Sequence, residues 1–536
     1  MGSLRDSTTP RMFPLVNVRL YGPYLDLDLG NDYHQQITRL SLANPKAQKM
    51  ETKQPPPKPK ILYAVPPREG HMRPALQISA QLIEHGYNVT MLGTDRWRDA
   101  IEAIGAIYSP CIGLWAVALD DVSWWPTIVS APTSAARNAA SLDEGFTTLL
   151  PSGFQSVCTA LTGIMGRDWA TERIVVLSDT CFSGTLPLKL KTHLPPGCGL
   201  EKVKIKTIGI GVVPVYWAAA ERPPWGSGLP YDDSEEGKTR TLQAHQEAWN
   251  QEAEDRARKC LTMMACAEKV DTLLEPFNDP ASGLRHPFWD ASTVCHDVTL
   301  QMGLRGLEFP TPSWPAHLKF AGPLPPKALP SGLKYPAWWD EVVFKNSAAY
   351  SIGHEGGRKK VVFVAQGTEV LDHNELIVPT VQALAGRDDV VVIVVLCVKG
   401  ATLDASSFAN GELPANCHVL DYFPYDAILP HADVFLSSSG YGGLTHAVAH
   451  AVPLVQTGRF FDKPDIGRRV EWSGMGVYLA DPTGAAPPSA VEVGEAVKKV
   501  LGDAKFRRRA GELRDDALRL DPLAAVEREV AGLSWE

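Results

Sequence analysis

What the chain lacks narrows its function first. Its longest apolar run, Val390 to Val398 (VVVIVVLCV), spans nine residues. That is less than half of the ~20 that a bilayer-crossing helix needs, so it reads as a buried strand. The opening MGSLRDSTTP has no apolar core of a secretory signal, and Asp6 stands where a myristoylation signal needs Ser or Thr. The nine cysteines, at 111, 158, 181, 198, 260, 266, 295, 397 and 417, form no C-x-x-C pair and are odd in number. They exclude a disulfide frame or a zinc ribbon and fit a reducing, cytoplasmic setting. Positive charge is not in excess either. The formal net charge of −9 is the opposite of a nucleic-acid-binding surface. None of the 14 histidines stands in H-E-x-x-H, and His446 and His450, at i and i+4, have no evident third ligand; they read as one face of a helix. No G-x-G-x-x-G follows the first strand and no Y-x-x-x-K occurs. Both absences count against a Rossmann oxidoreductase or a nucleotide-sugar epimerase.

What remains is an ordinary soluble composition, 44% hydrophobic and 21% charged, in 536 residues, too long for one core. Residues 1–59 carry no sustained period and end in a proline-rich spacer, Lys53 to Lys60, so they read as a disordered N-terminal arm. Asp26 and Asp28 within it read as solvated carboxylates, not metal ligands.

From residue 60 strands and helices alternate. Ile61 to Val65 is a buried strand, Pro66 to Pro74 a loop, Ala75 to His85 a helix with Leu76, Ala80 and Ile83 on one face, and Asn88 to Gly93 a second strand. Helical pattern from Trp115 to about Met165 is followed by a strand ending at Asp179. Val203 to Tyr216 holds another strand, Thr239 to Glu275 reads as one long polar helix, and Leu318 to Pro323 is extended. Proline and glycine then mark an interdomain linker, 324–357. A second alternating stretch, 358–520, opens with Lys360 to Ala365, and 521–536 is left as a C-terminal tail. The expected fold class is α/β: two Rossmann-like, doubly wound parallel-sheet domains, 60–323 and 358–520, facing a cleft where ligands bind at the C-terminal strand ends.

One stretch carries most of the chemistry. Val434 to Lys463 reads as a strand, a turn of Ser437-Ser438-Ser439-Gly440-Tyr441-Gly442-Gly443, a helix and a second strand. A Gly/Ser turn that opens a helix presents free N–H groups and the positive end of the helix dipole to an anion. The same glycines also serve a plain tight turn. In the first domain His71 follows one strand and Asp179 ends another of the same sheet. The pair can converge, with the carboxylate fixing the imidazole tautomer. A lone loop histidine is as a rule merely exposed, and an Asp after a strand commonly caps a helix.

Taken together, Gly70-His71-Met72-Arg73-Pro74, Gln366-Gly367-Thr368, Phe423-Pro424-Tyr425, Ser439 to Gly443, Val452-Pro453 and Asp462-Lys463 resemble, in order, the blocks of the family 1 nucleotide-sugar glycosyltransferases of fungal and bacterial type. The resemblance covers roughly residues 60 to 520. It implies the GT-B fold, with the acceptor in the N-terminal domain and the nucleotide sugar, a UDP-sugar, in the C-terminal one. It implies inverting hexosyl transfer to a hydroxyl of a small acceptor, with no bound metal and no cofactor. It makes His71 the general base and Asp179 its orienting partner. It sets Thr368 and the 438–443 turn (Ser438, Ser439, Gly440, Gly442, Gly443) on the diphosphate, the loop of Tyr422, Phe423 and Tyr425 near the nucleobase, His446 at the ribose, and Asp462 and Lys463 near the sugar hydroxyls. The chain departs from the family where Ser438 replaces the usual His or Asn, His446 the frequent Glu or Gln, and Lys463 the frequent Gln. The Trp and Phe residues of 111–165 and 215–310 suggest an apolar acceptor such as a sterol, terpenoid or polyketide. A GT-B-fold nucleotide-sugar binder without turnover is the other reading, against which the presence of both His71 and Asp179 counts.

Overall fold

The computed structural model describes residues 57–117, 127–128, 130–165, 172–190, 203–266, 269–346, 358–479 and 486–535. The arm with Asp26 and Asp28, the linker glycines at 353, 356 and 357, and Cys198 lie outside the described residues. Lys58–Glu536 form one compact unit. Among the described residues no helix is long and apolar enough to cross a membrane.

Strands rich in Val, Ile and Leu with no polar face must be covered on both sides, which is the condition of a parallel sheet under helices. Two such sheets form. The first has seven strands in the order β3-β2-β1-β4-β5-β6-β7: β1 Lys60–Ala64, β2 Val89–Gly93, β3 Ile107–Pro110, β4 Arg173–Asp179, β5 Lys204–Gly211, β6 Val298–Gln301 and β7 Leu318–Phe320. The second has six in the order β10-β9-β8-β11-β12-β13: β8 Lys360–Ala365, β9 Val390–Val395, β10 Cys417–Leu420, β11 Val434–Ser437, β12 Leu454–Gln456 and β13 Gly476–Tyr478. All the pairings are parallel. Both orders reverse direction beside their first strand, between β1 and β4 and between β8 and β11. Such switch points open a crevice at the C-terminal strand ends. The expected pair of doubly wound sheets is what forms.

The helices that cover these sheets differ from the sequence reading in three places. Helix α1 runs Glu69–Glu84, so His71 lies in its first turn and not in a loop. Pro74 is inside the helix, and the bias of a residue before proline against helical geometry is what made the start look later. The expected long polar helix is broken. After α2 (Ser134–Leu142) and α3 (Leu150–Ile164), α4 covers Glu235–Ala248 and α5 covers Gln251–Met263, because the Asn250 side chain accepts the Ala253 N–H at 3.0 Å and starts a new helix.

In the second domain α6 (Ile377–Leu384), α7 (Tyr441–Ala449), α8 (Lys463–Ser473), α9 (Ala490–Gly502) and α10 (Ala504–Leu518) surround the sheet. The stretch left as a tail is the third correction: Pro522–Gly532 forms α11. Its Ala525, Val526 and Val530 join the core of the first sheet with Ile61, Met72 and Ile78. The chain thus returns to its first domain, since an apolar helix face needs a core to cover it. The linker is also less free than its glycines suggest, for Trp339 and Val343 are buried in the core of the second domain with Phe363 and Phe435.

Across the cleft the two domains are tied by charge and aromatic contacts. Glu308 accepts from Arg222 of its own domain at 3.2 Å and from Arg469 on α8 at 2.9 Å, all three buried. Asp465 of α8 accepts the Gly226 N–H at 2.7 Å, and burial pushes its carboxyl up to about 7 against the pull of Arg469. Tyr231 and Phe309 stack, with Trp472 edge-on to both. On the opposite rim Arg68 pairs with Glu369 at 3.1 Å.

Candidate active site

The site assembles at the two switch points. His71 stands just past β1 and Asp179 ends β4, and these are adjacent strands with Ala64 opposite Ser178. The topology therefore delivers the two side chains to one edge. His71 Nδ1 meets Asp179 Oδ2 at 2.9 Å, with the carboxylate 1% exposed and the imidazole 18%. The other oxygen, Oδ1, accepts the Cys181 N–H at 2.8 Å. Asp179 thus holds the histidine while bracing the turn after its strand; it does not cap a helix, since the next one, Ser183–Thr185, has Phe182 at its N-cap. With Nδ1 engaged by the carboxylate, Nε2 is left as the proton acceptor.

Burial alone would pull the His71 pKa down, but the charge and hydrogen bond of Asp179, with the charge of Asp462 from the other domain, carry it above 6.5. A general base works unprotonated, so turnover is expected to fall as pH drops through an apparent pKa above 6.5. A kcat/KM profile over about pH 5 to 9 checks this; a flat profile, or a midpoint below the ordinary histidine value, contradicts it.

Cys181 completes the cluster. The ligand atoms of His71, Asp179 and Cys181 lie within 4.8 Å of one another, the single group of its kind among the described residues that could hold a metal ion. The thiol is a poor donor here, because burial and the Asp179 charge push its pKa well up, and His71 Nδ1 is already bound to Asp179.

In the second domain the turn after β11 is held by its own hydroxyls. Ser438 Oγ donates to the Gln366 carbonyl after β8, and Ser439 Oγ to the Thr457 carbonyl after β12. Both serines are buried, and Ser439 takes φ +58°. The structure employs these hydroxyls as braces, so what the turn offers a ligand is backbone. Gly440 caps α7 in an extended conformation. The first bond to the helix closes from the Leu444 N–H to the Gly440 carbonyl at 3.1 Å. The N–H groups of 441–443 lie ahead of it, in the turn that an α-helix leaves without internal partners. A Cβ at Gly440 or Gly442 would meet nothing within 4 Å, whereas one at Gly443 would reach Ser437 Oγ at 3.2 Å. Open space thus fronts the first two glycines.

Asp462 ends the loop before α8 and Lys463 opens the helix. Lys463 is 9% exposed, and among the described residues neither side chain has a hydrogen-bond or ion-pair partner. A Cβ at Gly458 would lie 2.7 Å from the Ser438 carbonyl and 3.0 Å from Lys463 Cβ, so the lysine stem runs beside the glycine turn. Thr368 is exposed in the loop after β8, on the same sheet edge.

Other expected contacts are not brought to the cleft. Phe423 is buried in the core against Trp339 and Tyr335. Tyr425 packs on Phe363 and Phe435, with its hydroxyl 3.1 Å from Cys397 Sγ. Of that loop, Tyr422 alone is exposed. Sequence reasoning also missed a brace: Asp426 Oδ1 lies 2.8 Å from His446 Nδ1 and 2.9 Å from His450 Nε2. Burial would raise the Asp426 carboxyl, but the two imidazoles hold it well below the usual carboxylate range. The i, i+4 histidine pair was the visible signal, and its carboxylate stands 20 residues away in sequence.

Two facing Rossmann-like sheets, with a histidine–carboxylate pair at one switch point and a glycine turn opening a helix at the other, define a GT-B glycosyltransferase. Comparison with known proteins agrees. Residues 385–531 match the family model described as erythromycin biosynthesis protein CIII-like, C-terminal domain. The chain is 30% identical over 479 residues to UDP-glucosyltransferase 1 of Beauveria bassiana (strain ARSEF 2860), covering 89% of this chain and 95% of that one. It is 27% identical over 485 residues to UDP-glucosyltransferase B1 of Starmerella bombicola, covering 89% and 99%. The crystal structure of the glycotransferase of kitacinnamycin shares the fold, with TM-score 0.56 and 20% identity over 89% of this chain and 100% of that one. The chain belongs to family 1 of the UDP-glycosyltransferases and is a hexosyltransferase.

Proposed function

We propose that the protein moves a hexose from a nucleoside diphosphate sugar, a UDP-sugar, to a hydroxyl of a small apolar acceptor, with inversion and without a bound metal. The observation that carries this reading is the His71–Asp179 pair at 2.9 Å, set where Asp462 of the donor domain adds its charge to the imidazole. In this reading His71 Nε2 takes the proton of the acceptor hydroxyl as its oxygen attacks the anomeric carbon. The bond from that carbon to the diphosphate oxygen breaks on the opposite face, and its electron pair leaves with the nucleoside diphosphate. Asp179 steadies the imidazolium that forms. The departing charge is met by the amides at the head of α7 and by the unpaired ammonium of Lys463. Asp462 is left to receive a sugar hydroxyl. Names of relatives that are UDP-glucosyltransferases support a UDP-glucose-type donor, and the free, largely buried thiols fit a cytoplasmic setting.

The test is an incubation of the purified chain with UDP-glucose and a naphthol-type acceptor in excess EDTA. Product is expected to form undiminished and, by proton NMR, with the anomeric configuration opposite to that of the donor. Loss of transfer in EDTA with recovery on adding magnesium would overturn the account of leaving-group stabilisation, and a retained anomer would overturn the single displacement.

A further inference from the structure

The residue between the two open glycines does not stay within its own domain. Tyr441 opens α7, and its side chain reaches the segment of the first domain that follows β6. There Gln301 Nε2 donates to the Tyr441 hydroxyl at 3.2 Å and to the Val213 carbonyl at 2.8 Å. Gly303 lies against the same hydroxyl. A Cβ built on it would collide with the Tyr441 oxygen and stand 3.4 Å from Tyr441 Cζ. No positive φ is recorded for Gly303, so its backbone tolerates a side chain. The phenol is what leaves no room for one.

The socket that receives the phenol is stiff. The Met302 N–H donates to the Gly211 carbonyl at 2.8 Å, and the Gln301 carbonyl takes the Ala321 N–H at 2.9 Å. Gln301 itself is buried. The same short segment belongs to both cores. Leu300 and Met302 pack in that of the first sheet, Leu304 and Leu307 in that of the second beside Leu444 and Ala447 of α7. Glu308 then holds Arg222 and Arg469. Interiors packed in this way are nearly incompressible and transmit a displacement instead of absorbing it. The opposite rim differs, for an exposed ion pair such as Arg68–Glu369 fixes a spacing only weakly.

We infer that Tyr441 is a positioning residue, whose phenol, seated against Gly303 and Gln301, sets the distance between the diphosphate turn and the sheet edge that carries His71. Strands β1 and β6 end at that one edge. Whatever shifts α7 against β6 therefore shifts the donor against the acceptor oxygen. Transfer between substrates held in different domains depends on this approach, and a misplacement of about 1 Å costs about 10²-fold. The inference rests on the proposed reading of the α7 turn as the diphosphate site and of His71 as the base.

The experiment is a crossed pair of substitutions, assayed with UDP-glucose and the naphthol-type acceptor. UDP is titrated calorimetrically into each protein, and kcat is counted per UDP-binding site, so an unfolded fraction does not enter. Gly303→Ala puts a methyl where the phenol oxygen sits. Its kcat is expected to fall at least about tenfold, with UDP affinity unchanged, because the donor site moves as one body. Tyr441→Phe keeps the ring and the 441 amide and leaves Gln301 its bond to Val213; its kcat falls no more than about fivefold. The double variant regains the missing room, so its kcat returns to within about twofold of Tyr441→Phe. Should Gly303→Ala not fold, Tyr441→Ala empties the socket and carries the same expectation. A kcat per site equal to the parent's in either alanine variant, or a double variant no faster than Gly303→Ala, would overturn the inference. So would a loss of UDP affinity that accounts for the whole loss of turnover. A parent chain that binds no UDP would instead sink the donor reading, and the inference with it, so the parent's own titration tells the two failures apart.

Discussion

Replacing His71 with Ala is expected to lower turnover about 10²–10⁴-fold, the usual worth of a positioned general base. UDP-sugar affinity should hardly move, because His71 belongs to α1 of the first domain while the glycine turn belongs to the second. The variant should also lose the acid limb of the pH profile, for the group whose pKa Asp179 and Asp462 raise would be gone. Melting temperature separates any loss of stability, since Asp179 Oδ2 loses its hydrogen-bond partner in the variant. The imidazole is partly exposed on the cleft side, and removing it leaves Asp179 still bound to the Cys181 N–H. Exogenous imidazole should restore part of the rate, since it refills a space that the substitution empties. Turnover equal to the parent would remove His71 from the mechanism, and with it the observation on which the proposed function stands.

That pair was legible in the sequence for a topological reason. His71 and Asp179 are 108 residues apart, but a parallel α/β sheet sends every strand's C-terminal end to one edge, so strand-ending residues are natural neighbours. The buried runs of β1, β8 and β9 and the Gly/Ser turn after β11 were legible for a simpler reason, because each signal is local. What escaped was non-local or orientational. A Phe-Pro-Tyr block gives no sign of which way its rings point, and the structure turns Phe423 and Tyr425 into the core. Ser438 and Ser439 looked like phosphate ligands because the hydroxyl type was right. Their partners, the carbonyls of Gln366 and Thr457, belong to two other loops. Helix α11 carries apolar residues that a tail would not need, yet nothing local says that their partners are on the first sheet.

A Cβ branch placed at the glycine turn tests the other half of the site. Gly442→Val is expected to weaken UDP-sugar and free UDP binding together by at least about 1–3 kcal/mol, the scale for buried polar groups left without partners. The structure sharpens this prediction, because a Cβ there meets no protein atom within 4 Å. The new Cβ enters the open space fronting the turn. Gly442 lies in the first turn of α7, and no positive φ is recorded for it. Valine is at least as good a helix residue as glycine, to within a few tenths of a kcal/mol. Melting temperature and far-ultraviolet circular dichroism should therefore stay near those of the parent while donor affinity falls. Acceptor affinity, read with the naphthol-type acceptor, should stay as well. Gly443→Val is the contrasting variant: its Cβ would press on Ser437 Oγ at 3.2 Å and on the Phe435 ring at 3.5 Å, so it is expected to lose stability along with binding. A folded Gly442→Val protein that binds UDP as tightly as the parent would mean that the turn only joins β11 to α7. The amides at the head of that helix would then have no part in holding the diphosphate.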